Sequence, residues 1–497
     1  MSFDWPWLSL CVFWPLLGAS GLILLKKTSL IKTWALLISG TEFFWCLAVI
    51  YGFDSNLPGW QFNEQYPWIR SLNIQFELAV DGVSVWLLLA NSWLSLMVMI
   101  YNWSTKYDNL RLYYALLLIF EALSMGILLA DDLMMFFFCW ELSLVPALFL
   151  IAQWGIRAQR RLAATQYTLM MLLSGILLLA GIVLLELRYV EDHGGFNFSF
   201  EVLRTLHLTV PEQYGVMVLW LLAFAVKGPL PPFHNWLPLV ALNAPPSLTA
   251  LLLGMKFGLF GMMRLLIPLV PEALMQFQKT LAVWAMVSVL YAGLIAVRQT
   301  NLRALLAYSS ISHVALVFMA LMAFNMQAWQ GACLQLINFS LISATLMLMA
   351  GMLEYRFASN DLCHLGGLAR PLPRFTLIFF GLIFASLGLP GTSGFIAELM
   401  MLLGIAKSFP VMVGVVLLGA IVSASYSLNY LKKAFWGPLR HQALLLTRDL
   451  QSHEAILLFA VLLVIVILGL IPSAVISFQT AGLESLLASI MISWDKI

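Results

Sequence analysis

Apolar runs of about 20 residues, divided by short polar stretches, follow one another from residue 5 to residue 476. A run of about 20 apolar residues is the length at which a helix crosses the hydrocarbon layer of a membrane. Read on that scale, the pattern predicts spans at 5–25, 31–51, 80–101, 112–130, 132–152, 166–187, 214–238, 248–268, 281–297, 305–325, 330–353, 373–406, 411–431 and 455–476, about fourteen in all. The twelfth is long and interrupted by Leu389-Pro390-Gly391, so it reads as one broken helix. The first run is too long for a signal-peptide core and has no convincing cleavage site, so it reads as a span. The expected fold is therefore all-α: a polytopic membrane protein.

The polar connections carry their own pattern. Loops after odd-numbered spans hold 17 of the 26 Lys and Arg residues, and the opposite side holds 6. Cytoplasmic loops are the ones enriched in Lys and Arg, so both termini are expected on the non-cytoplasmic side. The largest polar loop, 188–214, falls on that side, as does the Trp- and Tyr-rich stretch 51–77, which reads as interfacial. The tail from Gly482 to Ile497 is amphipathic and reads as lying on the surface or against a partner.

Composition agrees: 62% of the 497 residues are hydrophobic and 10% charged, against about 25% charged in soluble domains. The net charge of +2 adds little. The five cysteines are scattered without a C-x-x-C pair, which argues against iron–sulfur, c-type haem or zinc sites. No phosphate-binding glycine loop follows a strand, and nothing points to nucleic acid.

What remains are the charges placed inside apolar runs, where a lysine costs about 2.5 kcal/mol or more at mid-membrane. Lys227 stands in Ala223–Pro238, directly before Gly228-Pro229, with Pro231, Pro232 and His234 beyond it. Glycine and proline there remove backbone hydrogen bonds that lipid cannot replace, so this segment must face protein or water. Glu141 has no charged neighbour between Asp132 and Arg157. The bland reading is a neutral, hydrogen-bonded carboxyl; a functional pair with Lys227 is preferred, because burying an ion pair merely as glue is costly. Lys256 lies mid-span in the eighth run, too deep to snorkel easily to an interface. A second ammonium near Lys227 would loosen the hold on a proton at either one. His313 shares its segment with Ser309, Ser310 and Ser312, which can hold a water chain; alone it reads as a satisfied core histidine. Glu398 follows the break in the twelfth run, with an interfacial helix end as its bland alternative. Together Glu141, Lys227, Lys256, His313 and Glu398 fall on five spans, in the manner of a proton relay.

The breaks at Gly228-Pro229 and Gly388-Leu389-Pro390-Gly391 lie five spans apart. Because five is odd, units of spans four to eight (112–270) and nine to thirteen (271–436) would have opposite orientations, a transporter signature. They would follow an N-terminal part, 1–111, and precede a last helix and tail, 437–497.

Several of these segments resemble a known family. Asp132-Leu-Met-Met-Phe-Phe-Phe-Cys-Trp-Glu-Leu-Ser-Leu-Val-Pro146 and Phe224-Ala-Val-Lys-Gly-Pro-Leu-Pro-Pro-Phe-His-Asn-Trp-Leu-Pro238 resemble the fifth and seventh helices of the antiporter-like membrane subunits of complex I, or NDH-1. Ala307-Tyr-Ser-Ser-Ile-Ser-His313 and Gly388-Leu-Pro-Gly-Thr-Ser-Gly-Phe-Ile-Ala-Glu398 are similar to the tenth and twelfth, and Val80-Asp-Gly-Val-Ser84 to the entry of the third. A glutamate rather than a lysine in the twelfth helix is most similar to the chain-4 branch, NAD(P)H-quinone oxidoreductase chain 4. The resemblance implies a proton-translocating subunit of an NAD(P)H- or ferredoxin-driven quinone oxidoreductase. Glu141 and Lys227 would be a modulating pair, Lys256 a central relay and Glu398 the exit group. It implies no cofactor bound by this chain, with quinone and NAD(P)H or ferredoxin used by the whole complex. Partners would be other membrane subunits and lipids, in a bacterial inner membrane or a cyanobacterial thylakoid. The alternative is a subunit of a multisubunit cation/proton (Mrp-type) antiporter without redox coupling; a purely structural subunit is a third reading.

The sequence departs from the family in two places. Leu237-Pro238-Leu239-Val240-Ala241 stands where the family writes Leu-Pro-Asp-Ala-His, and Phe339 stands where it has a histidine in the eleventh helix. The link from His313 to Glu398 is then expected to run through water, Asn338 or Ser340. These departures point to a specialised member, such as the cyanobacterial forms associated with CO2 uptake, or to altered proton conduction.

Overall fold

The computed structural model describes residues 5–438 and 447–494; Arg440 and Lys496 of the charge count, and the last residues of the tail, lie outside them. Within these residues the chain is a bundle of helices, twelve of them long and apolar enough to cross a membrane. These coincide with twelve of the predicted runs. The other two are the broken ones, and neither crosses as one continuous helix. Val210–Lys227 stops at its lysine and the chain re-forms a helix only at Trp236–Asn243. Pro373–Ser386 and Ser393–Ser408 flank the second break. There Gly388 and Gly391 take left-handed backbone angles, φ +66° and +94°, which glycine adopts without a Cβ clash.

Four further irregularities are absent from the hydropathy pattern. The fifth run turns at Ser143, between Leu133–Leu142 and Leu144–Trp154. The eighth run ends one helix at Gly254 and starts the next at Phe257, so Lys256 stands at a break and not in mid-helix. Two π-helical turns follow, Met262–Leu266 in the eighth run and Phe339–Ser343 in the eleventh. Such turns open the backbone ladder and recur at functional sites.

The 51–77 stretch is not simply interfacial coil. Gln61–Ile69 and Ile74–Val80 pair as an antiparallel hairpin, with Asn73 left-handed at its turn. The second strand is buried at Ile74 and from Glu77 to Val80. The C-terminal helix Ser473–Trp494 packs on the same chain: Phe478 stacks on Phe53 and meets Trp86 edge-on. A Cβ on Gly82 would lie 1.9 Å from the Phe478 carbonyl oxygen, so only glycine admits this approach.

Outward faces are apolar, as on Arg160–His193, where Leu169, Leu172, Leu173 and Ile176 form an exposed stripe of helical period. Polar side chains gather in two groups. Arg157 and Arg303 both reach Glu354, at 3.6 and 2.8 Å, and Arg356 pairs with Glu454. Arg264 faces Asp131 at 3.9 Å, and Arg188 binds Asp192 and Glu212 at 3.0 and 3.6 Å. The arginines of the first group come from the cation-rich loops and those of the second from the opposite side or the span next to it, in line with the charge alternation.

Candidate functional site

The five predicted groups form two clusters joined by a stretch of aromatic and amide side chains. In the first cluster, Lys227 ends its helix, so its side chain reaches past the break. Its Nζ donates to the Trp140 carbonyl oxygen at 3.0 Å and to Ser143 Oγ at 3.2 Å, and lies 3.8 Å from the Trp140 ring centroid. The lysine therefore grips the turn beside Glu141 and not its carboxylate, and no direct ion pair joins the two side chains. The physical reason is position. The ammonium is occupied by the carbonyl freed at the Ser143 turn, while the Glu141 carboxylate lies against Gly175 of the neighbouring helix, where a Cβ would fall 1.6 Å from Oε1. The two charges still act on one another through space.

Lys256 follows at the next break. The two breaks pack backbone to backbone: a Cβ on Gly258 would lie 2.5 Å from the Gly228 nitrogen and 2.7 Å from its Cα. Glycine at 258 is what lets the Lys227 and Lys256 segments touch. The Lys256 ammonium is buried, donates weakly to the Leu252 carbonyl at 3.4 Å, and lies 5.2 Å from the centre of the Phe339 ring. Ser340 Oγ donates to the Gly254 carbonyl at 3.3 Å, satisfying an oxygen that the break exposes. Ser340 is thus part of the break and not a link to His313.

In the second cluster His313 Nδ1 lies 3.5 Å from Glu398 Oε1, a direct approach where an intermediary was expected. Both side chains line a cavity of about 200 Å³ with Ser312, Ser386, Gly388 and Ser423. A smaller cavity, about 20 Å³ and large enough for a single water, touches the same pair and adds Ser309, Gln335 and Asn338. Asn338 donates to Gln335 at 3.1 Å and accepts from Ser393 at 2.6 Å. Tyr426 donates to Ser309 at 2.8 Å and lies 2.9 Å from Ser423. These hydroxyls and amides bound a wettable route between the eleventh, tenth, twelfth and thirteenth runs.

Residues 130–424 match the family model described as NADH:quinone oxidoreductase/Mrp antiporter, transmembrane. The chain belongs to that family. It is 30% identical over 494 residues to the NADH-quinone oxidoreductase subunit M of Rickettsia felis, covering 97% of this chain and 99% of that one. It is 34% identical over 487 residues to the NAD(P)H-quinone oxidoreductase chain 4 1 of a Synechococcus strain, covering 95% and 91%. Among solved structures, a chain of respiratory complex I from Thermus thermophilus superposes with a TM-score of 0.86 at 26% identity, over 97% of this chain and 99% of that one. A chain of the Mrp complex from Dietzia shares the fold, with a TM-score of 0.85 at 22% identity over 99% and 100%.

Within this family the chain's departures now have positions. Phe339 lies under Lys256, so an aromatic face stands where a titratable ring would be. Sequence reading noticed that substitution and the serines beside His313, Ser309 among them, but missed Gln335 and Tyr426, since single hydroxyls and amides in apolar helices are common and carry no spacing signal. Where Asp-Ala-His is missing, Leu239 is half-buried and Val240 and Ala241 are fully buried in the core. His234 is also buried, edge-on to Tyr291 and Tyr308.

One polar group away from the five was also missed. Asp131, buried between the fourth and fifth runs, faces Arg264, which donates to the Leu128 carbonyl at 2.6 Å and stacks 4.2 Å over Trp60. Burial pushes the Asp131 carboxyl up to about 7, with the Arg264 charge acting against it. Next to it, Asp132 is structural: it caps Leu133–Leu142 by accepting from the Met134 and Met135 nitrogens.

Proposed function

We propose that this chain is a proton-translocating membrane subunit of a large quinone oxidoreductase complex, moving protons along Glu141, Lys227, Lys256, His313 and Glu398. The redox chemistry belongs to other subunits. NAD(P)H or ferredoxin would supply electrons there. The chain-4 relative supports a plastoquinone-reducing thylakoid complex, and the subunit M relative supports a bacterial inner-membrane one.

The observation that carries the reading is the backbone contact of Gly228 with Gly258. It sets two buried lysines at neighbouring helix breaks, with water-sized space and titratable groups beyond them. Glu141 and Lys227 act as a modulating pair through space. While the carboxylate is near, it stabilises the ammonium; when it moves away, the lysine passes its proton towards Lys256. His313 and Glu398 then hand it to the exit. Residues 112–270 and 271–436 would be the two inverted units, one for each break.

Replacing Lys227 with alanine tests this in the assembled complex. Quinone reduction should persist while proton pumping, read as dye quenching in vesicles, is abolished. Normal pumping would remove Lys227 from the route. Sodium-driven exchange by a complex lacking redox subunits would favour the antiporter reading.

A further inference from the structure

We propose that Glu42 and Glu121 form a second proton-binding site, off the central axis, in which two carboxyls share a proton between Thr28–Gly52 and Leu110–Leu129. The inference does not depend on the function proposed above.

Glu42 lies on the inward stripe of its helix with Ile31, Ala35, Ile38, Ser39, Cys46 and Val49. It is 1% exposed, and neither carboxyl oxygen has a hydrogen-bond partner. Glu121, on the helix packed against it, is also 1% exposed; its Oε2 accepts from Ser39 Oγ at 2.9 Å and its Oε1 is unpartnered. Glu42 lies one turn beyond Ser39, whose hydroxyl donates to Glu121, so both carboxyls sit at the same buried contact between the two helices. A further observation points to something small between them. Ser95 of the third run is 2% exposed, its hydroxyl has no partner in hydrogen-bonding geometry, and it faces Glu121.

Two dehydrated carboxylates side by side with no donor would each carry the full cost of burying a charge. Among the described residues no Lys, Arg or His pairs with either. The other titratable groups facing the pair are thiols, Cys46 one turn along and Cys11 from the first helix; Glu64, which acts on Cys11, is held by the Leu8 and Ser9 nitrogens at 2.7 and 2.9 Å. A single proton resolves the arrangement. A protonated Glu42 gains an O–H donor, and Oε1 of Glu121 offers an unpartnered acceptor at the same helix contact. Glu121 is the better carboxylate of the two, because Ser39 already donates to it. The ligand is thus a proton.

Infrared difference spectroscopy of the purified complex tests the site. Parent minus Glu42→Gln and parent minus Glu121→Gln, recorded at neutral pH in H2O and D2O, should each remove or shift one deuterium-sensitive carboxylic C=O band per chain. Glutamine keeps the shape, and co-purification with the complex confirms folding of each variant. Two results would overturn the proposal. One is that neither variant changes a protonated carboxyl band. The other is that adding sodium at constant pH removes the band in the parent, which would make the site one for an alkali cation.

Discussion

The imidazole Nδ1 of His313 and the carboxyl Oε1 of Glu398 lie 3.5 Å apart, on helices that belong to different halves of the sequence pattern around the second break. The distance is close enough for a proton to pass directly or through one water. Glu398 is also held from behind, since a Cβ on Gly388 would fall 2.9 Å from its Oε2. Glu398→Gln keeps the shape and removes the titrating group. Proton pumping should fall by about tenfold or more, while quinone reduction by the assembled complex continues. The ratio of protons to electrons in proteoliposomes checks it, and an unchanged ratio would show that protons bypass Glu398.

Glu141 offers a subtler test, because its carboxylate rests on Gly175. Gly175→Ala adds a methyl where Oε1 now sits, so the glutamate must turn aside while both charges remain. If the Glu141–Lys227 coupling works through space, shifting one charge by an ångström or two alters the stabilisation of the other. Pumping should drop several-fold with quinone reduction retained, and Gly175→Ala combined with Glu141→Gln should be no worse than Glu141→Gln alone. A double variant clearly worse than Glu141→Gln would mean that Gly175 acts by packing alone.

The five axis residues were legible because charge in an apolar run is rare and Gly-Pro breaks are visible in sequence. The twelve spans were legible from their length and apolarity, and the match over residues 130–424 agrees with the motif resemblance. Four things were not legible. The break at Lys256 carries no proline; it lies between Gly254, packed under the Leu94 side chain, and Gly258, packed on the Phe224 and Gly228 backbone. The Lys227 grip on Trp140 and Ser143 depends on a turn that hydropathy cannot show. Glu42 and Glu121 met the criterion applied to Glu141 but lay in the second and fourth runs, outside the resembling motifs. The hairpin 61–80 was hidden because its Trp and Tyr residues suit an interface as well as a strand.

Asp131 predicts a pH dependence. Its carboxyl is raised to about 7 in the folded chain by burial, from an ordinary value of 3.8. A raised folded value means that the folded state holds this proton more tightly than the unfolded state. The resulting stability is complete below about pH 4 and is lost as pH rises towards 7. Asn at this position mimics the neutral acid and has no such dependence. The melting midpoint of Asp131→Asn relative to the parent, followed by tryptophan fluorescence in detergent, should therefore move in the variant's favour from pH 4 to pH 7 and level off above. A difference independent of pH would show that Asp131 stays ionised beside Arg264 throughout.

Arg303 is a stability test at the opposite polar group. It is 0% exposed, and its guanidinium donates to Glu354 at 2.8 Å, to the Ala244 carbonyl at 2.6 Å and to Thr249 Oγ1 at 3.3 Å. It thereby ties the tenth run to the eighth and eleventh. Removing one partner of a buried ion pair typically costs about 3–5 kcal/mol, because the remaining charge and carbonyl are left without their donor. Glu354 keeps Arg157 at 3.6 Å and Asn360 at 3.1 Å, so the loss should fall at the lower end. Arg303→Met should lower the melting midpoint and the yield of assembled complex. Adding Glu354→Leu to that variant should restore part of the stability, since replacing both partners by apolar groups removes the stranded charge. No recovery in the double variant would place the cost in the lost Ala244 and Thr249 contacts, and the ion pair with Glu354 would then count for little.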